Sequence, residues 1–96
     1  MRFVTLFRFT SQGVASFKQT TKRAKDFIKT AKASGVDVKE FVWTQGRYDG
    51  VVLFDAPDRE TASAVMLSLA SRGNVQTETM VAYDAKEMEK VLAKAK

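Results

Sequence analysis

The sequence predicts an α+β fold, a four-stranded antiparallel sheet with helices on one face, and three observations carry that prediction. Four short runs rich in aromatic and β-branched residues are accompanied by three stretches with helical spacing of apolar residues, two between runs and one after the last. Gly46 sits between the second and third runs, where a tight turn would make them an antiparallel hairpin. Pro57-Asp58 then stops a strand and starts a helix within two residues.

Each element follows in order. Phe3 to Phe9 reads as a strand, and Thr10-Ser11-Gln12-Gly13 as a loop with helix-cap residues. Phe17, Ala24, Ile28 and Ala31, with Phe27 beside them, form the apolar stripe of an amphipathic helix with a break near Thr20-Thr21. Gly35 ends it, because glycine takes the left-handed C′ conformation without a Cβ clash. Val38 to Thr44 is a second strand and Tyr48 to Ala56 a third. Asp58 caps a helix whose buried face is Ala62, Val65, Met66 and Leu69, and Gly73 closes it. Val75 to Tyr83 is the fourth strand. Asp84-Ala85-Lys86-Glu87 then opens a last helix like a capping box, with Met88, Val91, Leu92 and Ala95 on one side. Two strand–helix–strand halves joined by a hairpin give the ferredoxin-like βαββαβ order, with one extra C-terminal helix, in a single domain spanning 1–96.

The strands do not alternate cleanly between apolar and polar. The first has Phe3, Phe7 and Phe9 on one side but Val4 and Leu6 on the other. The third sets Tyr48, Val52 and Phe54 against Val51 and Leu53, and the second sets Val38 and Val42 against Phe41 and Trp43. A sheet covered on one face alone would be polar on the other. Both faces therefore need cover, and a second copy is the simplest source, so the expected assembly is a homodimer or higher homo-oligomer. A single bulge would reverse these parities.

Composition bounds the chemistry. The 96 residues contain neither cysteine nor histidine, which excludes disulfides, thiolate nucleophiles and imidazole bases or ligands. No spacing of acids suggests a metal site or a paired-carboxylate site, so no metal, cofactor or catalytic residue is assigned. The N-terminal residues are too interrupted for a signal peptide and no apolar run is long enough for a membrane span, so the expected location is cytoplasmic. The net charge is +5, but Lys22, Lys25, Lys29 and Lys32 recur at three- and four-residue spacing, as on a solvated helix face.

The segments Thr44-Gln45-Gly46-Arg47-Tyr48-Asp49, Val51-Val52 and Ala56-Pro57-Asp58 resemble the signature of GYD domain proteins. So do Arg72-Gly73-Asn74-Val75-Gln76-Thr77-Glu78-Thr79 and the earlier Ser11-Gln12-Gly13 and Lys22-Arg23. Arg47 separates Gly46 from Tyr48, and Thr20-Thr21 stand where Ser-Pro is the family's pattern. The resemblance covers nearly the whole chain. It implies a small ferredoxin-like protein related to dimeric α/β barrels, and no particular activity.

Five residues are candidates for a ligand site. Tyr48 and Asp49 supply a phenol and a carboxylate at a pocket mouth, or else Asp49 bonds turn amides while Tyr48 packs over Gly50. Gly50 itself permits close approach of a neighbour. Trp43 needs a partner for its indole N–H if buried, in the core or at an interface. Asn74 and Thr77 place small polar groups beside and on the fourth strand, for a pocket or for the turn. RNA binding is disfavoured: aligned from Arg47 to the RNA-recognition motif, the stacking aromatics fall at Asp49 and Val51. The expected function is small-molecule binding or an interaction and regulatory role. The resemblance leaves open, as the alternative, a cofactor-independent oxygenase- or isomerase-like enzyme of the dimeric-barrel kind.

Overall fold

The computed structural model describes residues 1–96. Strand β1 spans Arg2–Phe9, β2 Asp37–Trp43, β3 Gly50–Asp55 and β4 Val75–Ala82. Helices are α1 (Ser11–Ala15), α2 (Thr20–Ala33), α3 (Arg59–Ser71) and α4 (Ala85–Lys94), with a 3₁₀ turn at Phe17–Gln19. The strands lie in the order β2-β3-β1-β4, every pair antiparallel, which is the ferredoxin-like arrangement. No helix is long and apolar enough to cross a membrane.

The core lies between the sheet and helices α2 and α3. Phe3, Phe7, Val52 and Phe54 meet Phe27 and Ala31 of α2 and Ala62 and Met66 of α3, all buried. Phe3 and Phe54 stack with ring centroids 5.4 Å apart. Thr5 is the buried polar side chain of this layer, and its hydroxyl is satisfied by Thr79 at 2.8 Å. Register fixes the faces. Phe3, Thr5 and Phe7 stand opposite Phe54, Val52 and Gly50, while Val4 and Leu6 stand opposite Leu53 and Val51 on the open side.

Four expectations need correction. A bulge between Val38 and Glu40 shifts the register of β2, so Val38 and Phe41 both pack on the core while Val42 turns outward. Phe17 is 56% exposed, because α1 and the 3₁₀ turn precede α2 and the buried stripe begins only at Ala24. The segment from Ser11 is helical rather than a loop, since the Thr10 side chain caps it by accepting from the Gly13 amide. Strand β3 begins at Gly50, not Tyr48: the Tyr48 carbonyl accepts from the Thr44 hydroxyl at 2.6 Å instead of from a strand partner.

Helix α4 has the expected capping box between Asp84 and Glu87, yet none of its residues is buried. Met88, Val91 and Leu92 are exposed along it. The molecule measures 48 × 31 × 18 Å.

Candidate functional site

Three segments distant in sequence meet at one end of the sheet. Thr10, at the end of β1, donates its amide to the Asn74 carbonyl at 3.0 Å and its hydroxyl to the Gly73 carbonyl. Gln12 donates Nε2 to the Arg72 carbonyl and to Asn74 Oδ1, each at 3.0 Å. A Cβ at Gly13 would overlap the Asn74 carbonyl oxygen, so glycine is what lets α1 sit against the start of β4. Arg23, on the first turn of α2, donates Nη1 to the carbonyl and hydroxyl of Ser16, at 2.9 and 3.1 Å.

The β2–β3 hairpin closes the same end through Asp49. Its carboxylate accepts the Phe9 amide at 2.7 Å, its amide donates to the Phe7 carbonyl at 2.8 Å, and its carbonyl accepts the Thr44 amide at 2.8 Å. The Asp49 carboxylate thus bonds β1 rather than the turn amides. Beside it, a Cβ at Gly50 would overlap the Phe7 ring, which is the close approach anticipated for this glycine. Trp43 packs at a tilt against Phe41 with centroids 5.0 Å apart and donates its indole N–H to the Thr20 hydroxyl at 3.0 Å. It remains 40% exposed, a rim residue rather than a core one.

These contacts frame a cleft of about 40 Å³ between the sheet and the starts of α2 and β4. Its walls are mainly apolar, with Phe7, Phe9, Phe27 and Phe41 prominent. Its polar lining is Thr20, Arg23, Arg72 and Asn74, with no carboxylate among them. Arg23 Nη2 is buried and has no hydrogen-bond partner. Leaving such a donor unpaired costs about 1–3 kcal/mol, more for a charged group. Arg23 takes part in none of the ion pairs, which join Arg2 to Asp55, Lys22 to Asp26 and Lys39 to Asp37. A shallower groove lined by Phe17, Thr20, Trp43, Asp49 and Phe9 adjoins the cleft and shares Phe9 and Thr20 with it.

The five candidate residues do not converge. Asn74 lines the cleft, and Trp43 and Asp49 line the adjoining groove. Tyr48 lies in a separate depression with Leu6, Arg8 and Glu78, and Thr77 borders it. The Tyr48 hydroxyl bonds Glu78 at 3.0 Å, and the Arg8 guanidinium lies 4.9 Å from its ring centroid. Tyr48 therefore does not pack over Gly50. Sequence reasoning missed Arg23 and Arg72 as cleft residues, although both fall in segments singled out above. Arg23 is flanked by exposed Lys22 and Lys25, so its partial burial leaves no mark on the charge pattern. No group of acids is placed to hold a metal ion.

A protein-family model described as "GYD domain" matches residues 3–92. A curated relative from Thermus thermophilus, "Glutamine synthetase and cystathionine beta-lyase binding protein", is 31% identical over 87 residues. That alignment covers 90% of this chain and 92% of the relative. No solved structure gives a significant match.

Proposed function

We propose that this chain, which belongs to the GYD domain family, is a self-associating interaction module whose partners include glutamine synthetase and cystathionine beta-lyase, the enzymes in its relative's name. The observation that carries the first half is an unpartnered apolar layer. On the sheet face away from α2 and α3, Val4 stands between Leu53 and Met80, and Leu6 stands opposite Val51. Val42, opposite Val51 on β2, extends this patch and is 45% exposed. Polar groups frame it: the Arg2–Asp55 ion pair on one side and Arg8, Tyr48 and Glu78 on the other.

Magnitude decides what must join the interface. Four strands of ordinary length and spacing present about 350 Å² in projection, so two copies face to face bring together about 700 Å². A stable pair buries at least about 1,200 Å². Helix α4 carries a further exposed stripe, Met88, Val91 and Leu92, with no cradle in its own subunit. Projection is a lower bound on accessible area, so the sheet faces supply a large part of the requirement and a two-fold dimer that also covers α4 adds to it.

The partner class rests on the relative's name and on an alignment that covers about nine-tenths of both chains. Titrating the purified chain into glutamine synthetase and into cystathionine beta-lyase from the same source by calorimetry tests it. Saturable heat with either enzyme supports the reading, and none with both contradicts it. The enzyme alternative draws on the same cleft, but a lining of arginines without a carboxylate lacks a general base and favours binding over turnover.

A further inference from the structure

We infer that the cleft beneath α2 is a binding site for a small apolar carboxylate, held by Arg23 and Arg72. The inference goes beyond the interaction role and does not depend on it, because the cleft lies on the helix side of the sheet, away from the open face. Four features of the molecule point the same way. Arg23 Nη1 is fixed by Ser16, so the guanidinium is already oriented. Its Nη2 is buried and has no partner within the protein, a donor that an incoming acceptor would satisfy. Arg72 lines the same cleft and no carboxylate does, Asp49 lying in the adjoining groove, so an anion meets two cations at the wall. The remaining walls include four phenylalanines, which suit a hydrocarbon and not a second charge.

Size narrows the class further. A cavity of about 40 Å³ exceeds what one water needs but takes only a few heavy atoms beyond the carboxylate. Planar carboxylate matches the guanidinium fork, whereas inorganic phosphate brings a hydration shell that the phenyl rings cannot replace. Asn74 supplies a further polar group at the lining. Its Oδ1 is engaged by Gln12.

The test is an NMR titration of the ¹⁵N-labelled chain, following backbone amides and the arginine Nε–H signals, with sodium butyrate as the probe. Butyramide, which has the same shape without the charge, and inorganic phosphate are the comparison arms. Saturable butyrate shifts at Arg23, Ala24, Phe27 and Asn74, with neither comparison compound producing them, are the expected result. Arg23→Gln should weaken butyrate by about tenfold or more, the loss of one charge-assisted hydrogen bond. Arg72→Gln, at an exposed position whose loss leaves the fold intact, should weaken it by a smaller factor. Equal shifts with butyramide, tighter binding of phosphate, or no shifts with butyrate would each overturn the assignment. Should Arg23→Gln fail to fold, the butyrate–butyramide difference and Arg72→Gln still decide it. Butyrate binding is read at the cleft whether or not the chain dimerises, so its failure and failure of the interaction reading are separate outcomes.

Discussion

At the scale of single residues, Asp49 and Gly50 hold the β2–β3 hairpin against β1. Replacing Asp49 with Ala leaves the Phe9 amide without its acceptor. The expected cost is about 1–3 kcal/mol, read as a lower urea midpoint with unchanged m-value. Gly50→Ala forces its Cβ into the Phe7 ring and the Val42 carbonyl, and should cost a similar amount, about 1–3 kcal/mol, by overpacking. Two other carboxylates contribute an acid dependence. Asp55 is held below the ordinary value of 3.8 chiefly by its hydrogen bond from Arg2, and Asp58 by its bonds from Thr61. A lowered folded-state value means the stabilisation is complete above the unfolded value and lost as pH falls through the folded one. Urea midpoints should therefore drop below about pH 4, and the Asp55→Asn/Asp58→Asn double variant should show a shallower drop. The need for a small residue at Gly50 was legible in the sequence, because glycine inside a strand has few other uses. The role of Asp49 was not, because a carboxylate beside a turn reads as a turn residue until the neighbouring strand is in place.

At the scale of elements, periodicity and caps revealed every long helix and all four strands. The Asp84–Glu87 capping box was readable from an acid at each end of one helical turn. The bulge in β2 was not readable, because Lys39 has no feature that marks an extra residue, yet it decides that Val38 faces inward and Val42 outward. Helix α1 was missed because five residues are too few to show a period. The cleft was only half legible: its phenylalanines follow from strand and helix patterns, but the orphaned Arg23 donor depends on how α2 meets Ser16. Helix α4 provides the sharpest element-level prediction. None of its residues is buried within the subunit, so a chain ending at Tyr83 should keep its fold and near-wild-type urea midpoint when both are measured as monomers. The same truncation should weaken self-association by about tenfold or more, since it removes the exposed stripe of Met88, Val91 and Leu92 from the proposed interface.

At the scale of the whole molecule, one layer of phenylalanines fills the space between sheet and helices while a second apolar layer faces outward. The proposed covering by another copy would account for both the open sheet face and the uncovered α4. Val51, half-buried at the middle of that face, is where a charge does most harm to the interface and least to the core. Val51→Lys should give a folded monomer. The most direct measurement is light scattering coupled to size exclusion, run on the wild-type chain and on Val51→Lys over a range of loading concentrations. The expected result is a wild-type mass of twice the 10.7 kDa chain, or a higher even multiple, with Val51→Lys eluting at the single-chain mass. A folded wild-type chain that stays at 10.7 kDa across the whole concentration range would contradict the account.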